Sequence, residues 1–184
     1  METLKTIAMR KSTRSYTPEQ ISEQELDTIL CAGCAAPVGN GAYGDVHLTV
    51  IQKIELLNNM TKIAANSFGD PALKPFYGAP TVVMVSVKKN KLANVETANV
   101  AIANVACIIE TMHLAATDLG LGSVYLSGFL KPFLANDKLL KELIRELQLP
   151  EGFSPVSAIA LGCPTEPLTE IKESKKKITV NTIR

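Results

Sequence analysis

Residues 94–123 read NVETANVAIANVACIIETMHLAATDLGLGS. At 3.6 residues per turn, Val95, Ala98, Ala101, Ile102, Val105, Ile108, Ile109, Met112, Leu114 and Ala115 spread around nearly the whole circumference of a helix over residues 94–119. A helix that is apolar all round is buried, either at the centre of a layered fold or in a subunit interface. Gly120-Leu121-Gly122 stops it, because glycine takes the left-handed conformation that closes a helix. Asn99, Asn104, Glu110, His113 and Asp118 interrupt the run, so it does not read as the ~20 apolar residues that span a bilayer.

The elements on either side show what this helix packs against. Residues 81–87, a β-branched run, read as a strand buried on both faces. Residues 46–51, 123–126 and 157–161 read as further strands, the last closed by Gly162-Cys163-Pro164. Residues 3–9 and 53–64 are predicted helices, and residues 137–147 an amphipathic one. Ser22-Glu23-Gln24-Glu25 is a capping box opening another helix, which carries Leu26, Ile29, Leu30 and Gly33 and stops at Pro37. Residues 65–78 read as a loop, and Ser127-Gly128 as a turn. Helices and strands are mixed without strict alternation, which points to an α+β or mixed-sheet layer fold. There is no repeat and no linker, so residues 1–184 form one domain.

Composition narrows the function. Apolar residues make up 46% of the 184, and the formal net charge is +1. The chain is globular, and it lacks the basic excess of a nucleic-acid-binding protein. Residues 1–14 lack the apolar core of a secretory leader. The expected setting is the cytoplasm, with no membrane partner. Of four cysteines, Cys31 and Cys34 form a C-x-x-C pair inside a helical pattern, and both read as buried core thiols. His47 falls in a strand and His113 in the long helix, and both read as structural. No nucleotide-binding glycine fingerprint, P-loop or nucleophile elbow is present. A bound cofactor is then expected to carry the chemistry.

Arg10-Lys11-Ser12-Thr13-Arg14 is the segment that points to one. Charges this dense repel unless an anion lies between them. Two guanidinium forks, one ammonium and a hydroxyl make a cradle for a small-molecule phosphate, although the same five residues also suit a solvated basic turn. The tail, residues 172–184, is basic and then β-like. It reads either as a solvated charge run or as an arm that pairs with a sheet.

Five segments in this order resemble the nitroreductase family. They are residues 10–16; Ala36-Pro37-Val38-Gly39-Asn40; Gly78-Ala79-Pro80 entering a strand; residues 114–123 ending the long helix; and Ala160-Leu161-Gly162-Cys163-Pro164 closing the last strand. The resemblance implies a three-layer α-β-α sandwich with a mixed central sheet flanked by helices. It implies a homodimer that exchanges its C-terminal arms and binds FMN, with NAD(P)H as co-substrate. Arg10, Lys11, Ser12 and Arg14 would hold the phosphate and ribityl chain, and Pro37, Val38, Gly39 and Asn40 would approach the isoalloxazine ring. Lys74 would lie beside flavin N1 and O2, and the backbone of Tyr125, Leu126, Ser127 and Gly128 would reach N5 and O4. A basic residue among Lys175, Lys176 and Lys177 would close the phosphate site. Val38 stands where such proteins often carry Ser, and Gly41-Ala42-Tyr43 lacks the usual polar-plus-Trp pattern. The implied activity is ping-pong hydride transfer from NAD(P)H to a small-molecule acceptor such as a nitroaromatic or quinone. The alternative is a flavin-binding storage, sensing or electron-relay protein with little turnover.

Overall fold

A computed structural model describes residues 2–169 and 178–184. Four strands form one sheet in the order β1 (Val46–Ile51), β2 (Thr81–Lys88), β4 (Phe153–Gly162), β3 (Gly122–Leu126). Each of these pairs is antiparallel. The parallel component among the described residues is an isolated bridge between Ser12 and Ser123.

Side-chain alternation along the two central strands builds a core on each face of the sheet. Val82 and Met84 of β2, with Ala158 and Ala160 of β4, face one layer. That layer holds α3 (Ile54–Phe68), α5 (Lys131–Leu134) and α6 (Asp137–Glu146). Val83, Val85 and Val87, with Ile159 and Leu161, face the other, formed by α2 (Glu23–Cys34) and α4 (Val95–Asp118). The result is the three-layer α-β-α sandwich, and it explains why β2 has no polar face. α1 (Thr3–Met9) lies outside, with Leu4 and Ile7 exposed.

Local signals act where the sequence places them. The Ser22 hydroxyl accepts from Glu25 N–H, and the Glu25 carboxylate accepts from Ser22 N–H. α4 begins with the Asn94 side chain accepting from Thr97 N–H. It ends with Gly120 at φ 78° and Leu121 N–H returning to the Ala116 carbonyl at 2.8 Å, a Schellman closure. Gly33 brings α2 against α4, since a Cβ there would stand 2.9 Å from Met112 Cγ.

Several expectations are corrected. α3 runs on to Phe68, because Gly69 at φ 65° supplies the stop that the Pro-rich stretch beyond it only suggests. β4 starts four residues before the predicted strand. Pro155 lies inside β4, where the ladder steps from Ser86–Pro155 to Val85–Ser157, so a bulge at Val156 sits beside the residue that lacks an N–H. A short 3₁₀ turn (Gly128–Leu130) and then α5 follow Ser127.

Cys31 and Cys34 are exposed, as is Cys107. α2 buries only the stripe holding Ile29 and Gly33; Cys31 is two residues past Ile29 on the outward side, and Cys34 is the last residue of the helix. α4 is covered on one face only, leaving Val95, Val100 and Ile102 exposed. By length and composition α4 is long and apolar enough to cross a membrane, contrary to the reading from its polar interruptions. Its buried residues, Val105, Ile108, Ile109 and Met112 among them, pack in the core with β2 and β4.

Candidate functional site

α1 delivers the basic segment to the free edge of β3. Ser12 bridges Ser123, and Thr13 N–H donates to the Ser123 carbonyl at 2.9 Å. Thr13 and Tyr16 are buried, while Ser12, Arg14 and Ser15 are exposed. Tyr16 donates its hydroxyl to the Thr13 carbonyl at 3.0 Å, and burial holds its proton well above the usual phenol range. The approach is close because Gly122 has no side chain; a Cβ there would lie 2.7 Å from Thr13 Cγ2.

The charge balance here is uneven. Arg10 Nε stands 3.7 Å from Glu110 Oε1, both partly exposed. Lys11 and Arg14 have no carboxylate within ion-pair distance among the described residues. The Arg14 guanidinium instead sits over the Tyr77 ring, 6.0 Å from its centroid, a cation–π arrangement.

Two cavities lie near this edge, and a third adjoins them through Tyr77. Arg10, Ser12, Glu110, His113 and Tyr125 line the first, about 430 Å³. Tyr125, Leu126, Ser127 and Gly128 line the second, about 440 Å³, with Tyr77 and Lys131. Lys74, Tyr77, Gly78, Gln20 and Asn58 line the third, about 600 Å³. Tyr125 is shared by the first two and Tyr77 by the last two. Tyr77 takes φ 55° and Gly78 φ 81°, so the turn holds a bulky aromatic in the left-handed region. That conformation costs on the order of 1 kcal/mol and persists only where the surroundings enforce it.

The structure thus groups Arg10 and Ser12 with Tyr125 and, through Tyr77, brings Arg14 to the cavity of residues 125–128, with Lys74 beyond Tyr77. It does not bring Pro37, Val38, Gly39 and Asn40 to them within one chain. Val38 is buried in the α2–α4 layer, and Gly39 N–H donates to Asn104 Oδ1 at 3.0 Å. Gly39 and Asn40 line a separate cavity with Asp45 and Lys91. There Asp45 pairs with Lys88 and Lys91, each at 3.0 Å, which holds its carboxyl below the usual range. That cavity neutralises its own charge, whereas the basic segment does not. Lys175, Lys176 and Lys177 lie outside the described residues.

Sequence reasoning assigned His113 only a structural role, read Gly122 only as part of a helix stop, and gave no role to Tyr77. His113 is 3% exposed, and its Nδ1 is 2.7 Å from Ser123 Oγ. Burial, helped by the nearby Arg10 charge, pushes its pKa down to about 4. An unfolded histidine titrates near 6.5. Between those values unfolding takes up a proton that the folded imidazole refuses. Acidification from pH 6.5 to 4 is therefore expected to cost the flavin-free chain up to about 3 kcal/mol, with no contribution from this group above pH 7. Urea midpoints at pH 7 and pH 4.5 check this, and His113→Gln should lose that part of the slope. The only sequence signal was Glu110 and His113 three apart on a helix that also faces Arg10.

Residues 7–163 match the Nitroreductase family. The chain belongs to that family. A protein of Archaeoglobus fulgidus provisionally named an NADH dehydrogenase/NAD(P)H nitroreductase is 32% identical over 90% of this chain and 87% of its own. The FMN reductase [NAD(P)H] of Bacillus subtilis is 27% identical over 90% of this chain and 67% of its own. The crystal structure of a nitroreductase with bound FMN from Bacteroides fragilis superposes with a TM-score of 0.80 at 26% identity, covering 99% of this chain and all of that one.

The donor set fits a flavin mononucleotide. Lys11 and Arg14 have no carboxylate counterion among the described residues, Ser12 presents an exposed hydroxyl, and adjoining cavities carry two tyrosine rings. A phosphate would supply the missing anion.

Proposed function

We propose that this chain is an FMN-dependent oxidoreductase that uses NAD(P)H to reduce a nitroaromatic, quinone or similar small molecule in ping-pong order, in the cytoplasm. The observation that carries the reading is the basic segment laid along β3, sharing a cavity wall with Tyr125. Arg10, Lys11 and Arg14 would neutralise the phosphate, and Ser12 would add a neutral hydrogen bond. Bound there, FMN would supply hydride acceptance from the nicotinamide and reducing equivalents for the second substrate. Residues 125–128 would present backbone to the ring. Lys74, exposed in the third cavity, would stabilise negative charge on it.

A second copy of the chain is part of this proposal. Pro37, Val38, Gly39 and Asn40 lie away from the basic segment within one chain, so their expected role requires a partner to supply them. Two unpartnered apolar sets support that assembly. Val95, Val100 and Ile102 are uncovered on α4, and near the C-terminus Ile178, Val180 and Ile183 are 82%, 74% and 92% exposed.

The absorption spectrum of the purified protein tests the cofactor, and anaerobic stopped-flow mixing with NADH and NADPH tests the activity. Colourless protein that gains no flavin on reconstitution would overturn the proposal. Bound flavin that neither nicotinamide bleaches would make the chain a flavin-binding or relay protein instead. Arg14→Ala is expected to weaken FMN binding by about 1.5–3 kcal/mol, the range for a hydrogen bond to a charged group. Fluorescence titration measures it, and unchanged affinity would make the basic segment a surface turn.

A further inference from the structure

His113 is the one nearly buried titratable side chain in the wall of the first cavity. Burying an imidazole requires its polar atoms to be satisfied. Nδ1 is satisfied by the Ser123 hydroxyl. Among the described residues Nε2 has no hydrogen-bond partner and is not fully buried, so it opens onto the cavity that Arg10 and Ser12 also line. An apolar residue would fill a core helix position more cheaply. The Ser123 contact also ties the imidazole to the basic segment, since the Ser123 backbone holds Ser12 and Thr13.

Resting on the FMN reading above, we propose that His113 is a ligand for the phosphate end of the cofactor, binding through Nε2 from the cavity floor while Arg10 and Ser12 hold it from the rim. The charged and titratable groups lining this cavity with His113 are Arg10 from the segment after α1, Glu110 from α4 and Tyr125 from β3. Without an anion, burial and, secondarily, the Arg10 charge disfavour the imidazolium. An arriving phosphate reverses the local sign, and the neutral imidazole takes a proton from solvent. Cofactor binding is then coupled to proton uptake at His113, and affinity falls as pH rises through the pKa of the loaded form.

The test compares FMN with riboflavin, which lacks the phosphate, on the full-length protein. His113→Leu is expected to weaken FMN at least tenfold while riboflavin affinity changes less than twofold. His113→Gln keeps a neutral donor and should retain part of the FMN affinity. The ratio of wild-type to His113→Gln affinity for FMN should fall, by up to tenfold per pH unit, somewhere between pH 5 and 8. The phosphate's own ionisation cancels in that ratio. The chain has two histidines, so imidazole NMR of the wild type provides a readout that needs no variant to fold. His113 should titrate at higher pH in FMN-loaded than in riboflavin-loaded protein. Equal losses of both flavins, or equal His113 titration in both complexes, would overturn this inference and leave the functional reading standing. A wild-type protein that binds neither flavin would overturn the functional reading and this inference with it.

Discussion

Gly122→Val is expected to destabilise the fold by about 3 kcal/mol and to abolish tight flavin capture. The reason is the 2.7 Å between an added Cβ and Thr13 Cγ2. Real Cβ contacts do not come that close, so one side must move. Thr13 has little freedom to yield. It is buried and β-branched, its N–H is held by the Ser123 carbonyl, and its own carbonyl accepts from Tyr16. Overpacking of this kind costs on the order of 1–3 kcal/mol, and the two methyls of valine place the effect at the upper end. The segment that would shift carries Arg10, Lys11, Ser12 and Arg14, so stability and cofactor affinity should fall together. Gly122→Ala should do the same more weakly. Urea denaturation and flavin titration on each variant check both. Normal flavin affinity in a destabilised Gly122→Val protein would show that the cradle does not depend on β3.

Phe133→Ala is expected to cost about 3–5 kcal/mol, the range for removing a fully buried aromatic ring. α5 has only four residues, too few to be stable alone. Phe133, 2% exposed, secures it to the core that Phe129, Leu130 and Phe76 share with α3. The Phe76 and Phe129 rings meet edge to face at 5.0 Å. Phe129 and Leu130 lie directly after Tyr125, Leu126, Ser127 and Gly128, and Phe129 lines the second cavity. A cavity left at Phe133 should loosen that turn as well as the fold. The expected signature is a lower urea midpoint with faster flavin release. A stability loss under about 1 kcal/mol would mean that the surrounding helices collapse into the space.

Both predictions concern residues whose importance was illegible in the sequence. Gly122 reads there as helix punctuation. Its second role depends on Thr13, more than a hundred positions earlier, lying across it. Phe133 sits in a segment too short to show a period. The same holds for the cysteines: a C-x-x-C inside a helical pattern does not say which face is covered, and single-sided packing of α2 leaves both thiols outside. The early start of β4 was illegible too, because Pro155 sits beside a bulge in its own strand, where Val156 has no partner on β2.

Elements whose signals are local were legible. The capping box at Ser22, the glycine closure of α4 and the β-branched run of β2 each act through residues within a few positions, and each forms where it was read. The dense cations at Arg10, Lys11 and Arg14 were equally plain, because mutual repulsion follows from proximity along the chain. What only the tertiary structure decided was their surroundings. Pairing of Ser12 with Ser123 fixes which side chains face out, which cavity they share with Tyr125, and that His113 lies beneath them. Periodicity and charge density by themselves determined a layered fold of mixed helices and strands and an anion-seeking segment, because they are properties of neighbours; the three layers were implied by the family resemblance. The site came from packing, because its walls are drawn from α4, β3 and the loop before β2, whose meeting depends on the whole sheet.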